Sequence, residues 1–273
     1  MWTRIRWASE LSESIVIGER VLTALIQGGV LGGFLALGGV MPRDAQQGVV
    51  TRDTAINVVN GLFLFGLRVT VIAWIALHAD LGWIDASAVG APGMQLLSAF
   101  LLLDFTRYWL HRAHHRVPWL WTFHRVHHMT ERLDATSGLR MHVVDFVQLS
   151  LLPIVLFATV LNISTWETWV LPAALTVGAV FDAFQHANLA WNPRNPLARV
   201  WGLVLNHPHF HAWHHTRDGE RCDGNYGNTL VIWDRLFGSD VTGAELPEAY
   251  GLEPSQALTN DLVGMQLLRH RES

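Results

Sequence analysis

Residues 104–128 read DFTRYWLHRAHHRVPWLWTFHRVHH. An apolar run ends here in two histidine boxes. HRAHH carries His111, His114 and His115, and FHRVHH carries His124, His127 and His128. A third box, HPHFHAWHH, carries His207, His209, His211, His214 and His215. Of the 15 histidines, only His78 and His270 lie outside this part of the chain. On a helix, residues four apart share a face and residues three apart lie close to it. His111 can therefore converge with His115, His124 with His127 and His128, and His211 with His214 and His215. Neutral imidazole is the commonest protein metal ligand. These positions are too many for one tetrahedral ion, which takes three or four protein ligands. They suit two ions of higher coordination. Nitrogen donors accept Fe, Zn, Cu and Ni alike, so spacing leaves the metal open. His142 and His186 join the candidates because each sits at the end of an apolar run. His114, His207 and His209 are extras in crowded boxes.

Working outward, the boxes are flanked by long apolar runs. A helix needs about 20 apolar residues to cross a bilayer. The runs at 21–41, 55–79, 91–110, 146–165 and 166–187 meet that length, the last two following each other closely enough for a hairpin. The expected fold is all-α: an integral membrane bundle of four to five spans with a histidine-rich helical cap. Its parts are N-terminal membrane helices over 1–90, a histidine-box core over 91–240 and a polar C-terminal tail over 241–273. Arginine-rich loops stay in the cytoplasm. The 42–54 loop, the 111–142 region and the C-terminal third carry the arginines, so the boxes are expected to face the cytoplasm of a bacterial inner membrane. Five simple spans would put Arg4, Arg6 and Arg20 outside. That conflict leaves room for a re-entrant or interfacial run among the first three. No cleaved signal peptide is evident at the N-terminus, and the first apolar run reads as an anchor.

Composition agrees and narrows the chemistry. The chain has 273 residues, of which 50% are hydrophobic and 15% charged, and its mean hydropathy is +0.23. A charged fraction well below the soluble average of about 25% argues against a soluble globule. With a net charge of -4, no basic field recruits nucleic acid. All basic residues are arginine, which excludes a lysine Schiff base. Cys222 is the single cysteine, so neither a disulfide nor a thiolate cluster is available. Neither HExxH nor Glu-x-x-His occurs, which argues against a zincin protease and a soluble di-iron bundle. Asp104 and Asp182 precede His111 and His186 by seven and four residues. Each is a candidate carboxylate partner for a ligand imidazole, or else an ion-pair partner of a nearby arginine. Arg68 sits in the second apolar run, where a charge is costly and a function is the default reading; binding of a lipid headgroup competes there on equal terms with snorkelling or pairing with an acidic residue.

The runs DFTRYWLHRAHH (104–115), LWTFHRVHH (120–128), LRMH (139–142), FQHAN (184–188), HAWHHTRD (211–218), NYG (225–227) and IWDRLFG (232–238) resemble the fatty acid hydroxylase / sterol desaturase superfamily. The resemblance covers about half the chain. It implies a membrane-bound non-haem di-iron oxygenase that hydroxylates or desaturates lipids with O2 and supplied electrons. It assigns two Fe ions to His111, His115, His124, His127, His128, His211, His214 and His215, with His186 a further ligand. His142 matches a histidine found in only part of the superfamily. No cytochrome b5 module or dinucleotide fingerprint is seen, so a separate ferredoxin, cytochrome or reductase is expected to donate electrons. Two other classes compete: a membrane metal-binding or transport protein, and a zinc-dependent membrane hydrolase. The first would spread ionisable residues through several spans. The second would need a general-base carboxylate beside the metal.

Overall fold

In the first apolar run, Leu22–Val40 carries no charged residue and forms helix α1. The computed structural model describes residues 22–270 apart from 78, 79, 81 and 220. The expectations about the N-terminal arginines, the signal peptide and His78 fall outside those residues. α2 (Arg52–Leu77) follows, then α3 (Pro92–Arg116) and α4 (Pro118–His128). Pro118 has no N–H to continue α3 and pushes Val117 out of helical geometry. Val117 accordingly sits at φ -108, ψ 113 as the last cap of α3 and the first of α4. This one-residue corner turns the first two histidine boxes toward each other.

Helix α5 runs from Val143 to Val160. It loosens into a π-turn over Val147–Leu151. Pro153 cannot donate to the turn before it, which explains the slack. α6 (Val170–His186) ends on a histidine, and α7 (Pro196–Trp201), α8 (Pro208–His214), α9 (Ile232–Leu236) and α10 (Leu262–Gln266) are short. Two-residue strands β1 (Ile84–Asp85) and β2 (Leu161–Asn162) pair in parallel. A Cβ at Gly82 would lie 2.0 Å from the Leu161 carbonyl carbon, so only glycine permits that crossing.

Among the described residues, three helices are long and apolar enough to cross a membrane: Leu22–Val40, Arg52–Val71 and Val143–Val160. Of the five expected runs, those that became α3 and α6 are not in that set. α3 carries Asp104, Arg107 and Arg112, and α6 has only 17 residues. Over their described residues the first three runs are each one continuous helix, α1, α2 and α3. α3 is the central strut. It packs on α4, α5 and α6, and Ala99, Leu103, Ile154, Phe157, Val170 and Ala174 share one apolar core. Trp166 closes that core by donating from Nε1 to the Ala86 carbonyl at 2.9 Å.

The opposite end is polar and tightly tied. Thr54, Asn57 and Asn60 form a buried ladder along α2. They bind Asp134, Thr136 and the carbonyls of Leu139 and Met141 at 2.8–3.1 Å. Arg140 is fully buried there, donating to Asn57 Oδ1 and Asn260 Oδ1. The stretch expected to be a polar tail is built into this cap. Leu258 and Met265 pack on Val126, and Gln266 bonds to Asn60, Met141 and the Val143 N–H.

Candidate metal centre

Nine histidines converge on two adjacent points between α3, α4, α6 and α8. His111, His115, His124, His128 and His214 form one group, and His127, His186, His211 and His215 the other. All nine are buried, and within each group one nitrogen per ring lies within 4.8 Å of the rest. The rings come closer still at Nε2. His111 and His124 are 3.1 Å apart. His186 lies 2.9 Å from His211 and 3.3 Å from both His127 and His215. Ligand nitrogens about 2.0–2.1 Å from one ion are separated by about that much.

Partners on the far side of the rings fix the tautomers. Nδ1 of His111 donates to the Tyr226 carbonyl at 2.8 Å, and Nδ1 of His214 to the Gly224 carbonyl at 2.8 Å. Nδ1 of His186 donates to the Asp182 carbonyl at 2.6 Å, and Nδ1 of His124 to the Asp145 carboxylate at 3.1 Å. A carbonyl or an ionised carboxylate can only accept. Each of these neutral rings therefore carries its proton on Nδ1 and turns an Nε2 lone pair inward. His111 and His124 then oppose two lone pairs across 3.1 Å with no proton between them. Nε2 of His128 and of His214 are buried without a hydrogen-bond partner. Each such orphan costs about 1–3 kcal/mol. A cation at each point removes both penalties, so the residues fit a pair of bound metal ions. Burial, reinforced by neighbouring imidazoles, pushes His127, His128, His211 and His215 well below the usual histidine range. Burial takes His214 down to about 3. The rings are thus held neutral, as metal ligation requires.

Most of the expected ligands arrive, but the boxes divide differently from the expected pattern. His124 pairs with His128, while His127 joins the other group. His211 pairs with His215, while His214 crosses over. Residues four apart stay together, and the third member faces the neighbouring point. His142 lies in neither group. It caps α5, accepting from Val144 N–H at Nδ1, and its Nε2 meets the Gln266 carbonyl. Both nitrogens of His114 face oxygens, of Leu110 and Gln148. His207 caps α8 and stacks on Trp191, and His209 reaches the Gly243 carbonyl.

The two acidic candidates act at one remove. Asp104 accepts from the N–H groups of Thr229 and Leu230 and from Trp233 Nε1. Seven helical residues span about 10 Å, too far to touch the ring of His111. The Asp182 carboxylate pairs with Arg107 at 3.1 Å, and its backbone carbonyl holds His186. The carboxylate that does hold one of the converging rings, His124, is Asp145, which sequence reasoning missed. So was Asp234, which accepts from the Tyr226 and Gly227 N–H groups and fixes the loop that holds His111. Burial raises Asp234 to about 6. No local spacing pointed to Asp145, which meets His124 across 21 positions, while Asp234 lay within the IWDRLFG run.

A family profile described as fatty acid hydroxylase matches residues 96–239. The chain belongs to the fatty acid hydroxylase family. The match runs from within α3 through α9 and includes every one of the nine converging histidines. Within this family's wider kin, the chain is 33% identical over 162 residues to the alkylglycerol monooxygenase of Xenopus tropicalis, covering 56% of this chain and 32% of that one. It is 30% identical over 148 residues to ornithine lipid hydroxylase OlsE of Rhizobium tropici, covering 53% and 41%. It is 30% identical over 143 residues to a putative methylsterol monooxygenase of Dictyostelium discoideum, covering 51% and 48%. The chain spans less than half the length of these curated relatives. No solved structure matches.

This fatty acid hydroxylase family member also encloses a cavity of about 370 Å³ between α1, α2, α3, α5 and α6. Its walls are apolar, with Leu31, Phe65, Leu103, Ile154 and Ala174 among them. Arg68, Arg107 and Asp182 give it a charged end. Arg107 and Asp182 each stand four residues, about 6 Å of helix, before His111 and His186. A Cβ on Gly138 would lie 1.9 Å from Asp182 Oδ2, so this glycine lets the ion pair seat beside the loop before α5.

Proposed function

We propose that the protein is a membrane-bound oxygenase that hydroxylates or desaturates a lipid. The reading rests on one observation above the rest: two buried nitrogen clusters, with lone pairs forced inward, belong to the same helices as an apolar cavity whose Arg107 and Asp182 stand one turn before His111 and His186. Family membership supports the same reading, as do relatives named for lipid hydroxylation. The five-histidine group and the four-histidine group would each hold one iron ion. Bound iron supplies O2 activation, with electrons from a separate ferredoxin, cytochrome or reductase. The chain's own residues do the rest. Asp145, Asp234 and the carbonyls of Gly224, Tyr226 and Asp182 hold the rings at the orientation and tautomer that ligation needs. The apolar walls keep water from the reacting carbon and position it. α3 and α6 complete the bundle around the cavity. The arginine distribution favours a cytoplasmic cap.

The test is metal content and oxygen uptake. Protein purified in detergent after growth with iron is expected to hold about two irons per chain. Oxygen uptake should follow addition of lipid and reductant. Zinc that iron cannot replace, with no lipid-dependent oxygen uptake, would sink the proposal.

A further inference from the structure

Two arginines, Arg68 and Arg107, and two aspartates, Asp104 and Asp182, line the cavity. Arg107 is paired with Asp182. Asp104, the other carboxylate lining the cavity, is taken by three N–H donors. Arg68 stands in the middle of α2, inside a candidate membrane span. Its charge feels Arg107 as a like neighbour and Asp182 as an opposite one. Among the described residues its side chain makes no hydrogen bond or ion pair. The cavity wall also includes the apolar side chains of Leu64, Phe65 and Phe100. An arginine at membrane depth normally pairs with another group or marks a substrate path. Here the missing partner has to come from what enters the cavity.

Resting on the lipid-oxygenase reading of this cavity, we propose that Arg68 selects an amphiphile bearing an anionic group, carboxylate or phosphate. The amphiphile binds polar end first toward the histidine clusters. Guanidinium is suited to both anions, since its fork donates two parallel hydrogen bonds to either. The polar end must lead because the charges gather at the histidine end, one turn from His111 and His186. The chain then lies back among α1, α2, α5 and α6. α1 and α2 fall outside the family match at 96–239. The selecting residue thus belongs to the part of this chain that the family pattern does not prescribe. The oxidised carbon is then close to the anionic group and far from the chain terminus.

The experiment uses the full chain in detergent with its metals in place. Radiolabelled hexadecanoate is competed with hexadecyl phosphate, hexadecanoate and hexadecan-1-ol. The anions are expected to compete about tenfold or more better than the alcohol, the value of one charge-assisted hydrogen bond. Comparing the two anions decides between carboxylate and phosphate. Arg68→Gln should erase the preference, and Arg68→Lys should keep most of it. Metal content of each variant reports folding. If Arg68→Gln fails to fold, the wild type and Arg68→Lys carry the test. Equal binding of acid and alcohol by the wild type overturns the proposal. So does an equal loss for both probes in a folded Arg68→Gln. On turnover, oxygen on carbons near the acid supports the orientation, and oxygen at the chain terminus overturns it. Arg68-dependent binding without any turnover would sink the oxygenase reading and leave the anion site standing.

Discussion

His127 and His128 are chain neighbours that belong to different histidine groups, and so are His214 and His215. Consecutive side chains on a helix diverge by about 100°, so neighbours cannot share one ion as easily as residues four apart. This gives a prediction at single-residue resolution. His128→Ala should weaken only the five-histidine point, and His215→Ala only the four-histidine point. Each variant is expected to lose about one metal of two by elemental analysis, and nearly all turnover. Loss of both ions in either variant would show that the two points fill only together. The boxes themselves were legible in the sequence because helical spacing is a local property. Their division was not, because it depends on how α3, α4, α6 and α8 face each other. The same limit explains the carboxylates. Asp145 reaches His124 across 21 positions, and Asp234 acts through backbone N–H groups that no residue pattern displays.

At the scale of elements, the corner between α3 and α4 matters most. Val117 and Pro118 let two helices carrying five of the nine histidines meet with one residue between them. Packing on both sides also holds that corner, since Leu120, His124 and His128 are buried. Pro118→Ala therefore acts mainly by freeing the unfolded chain. The expected loss is about 0.4–1 kcal/mol, read as a lower Tm with metal content unchanged. A variant without metal would instead make the proline the sole keeper of the corner. Hydropathy marked these helices well, because long apolar runs are a bulk signal. It could not foresee that 242–270 folds back into the cap. Leu258 and Met265, with Leu262 and Leu268 packed against them, anchor that stretch in apolar core, and hydrogen bonds such as those of Gln266 and Asn260 tie it further.

For the whole molecule, the cap couples stability to acidity. His127, His128, His211, His214 and His215 have depressed values in the folded state. In the unfolded chain they protonate near the ordinary value of about 6.5. Below that pH the unfolded state binds more protons than the native one, so stability falls as pH falls. Bound metal acts in the same direction, since ligation also requires neutral rings. Tm should be flat from pH 8 to about 6.5 and drop steadily below it, with metal release following. A Tm that rises on acidification over that range would contradict the neutral-ring assignment.

The neighbouring histidines also act as a gauge. Successive Cα atoms are 3.80 Å apart across a trans peptide, and that length cannot be adjusted by side-chain packing. With His127–His128 on one helix and His214–His215 at the end of another, the peptide bond itself calibrates the gap between the two nitrogen clusters from two directions. The adjacent rings of the two pairs stand 5.4 and 5.3 Å apart, nearly the same spacing from both directions. Residues inserted within either pair would retune it, whereas substitutions in the cavity would leave it untouched.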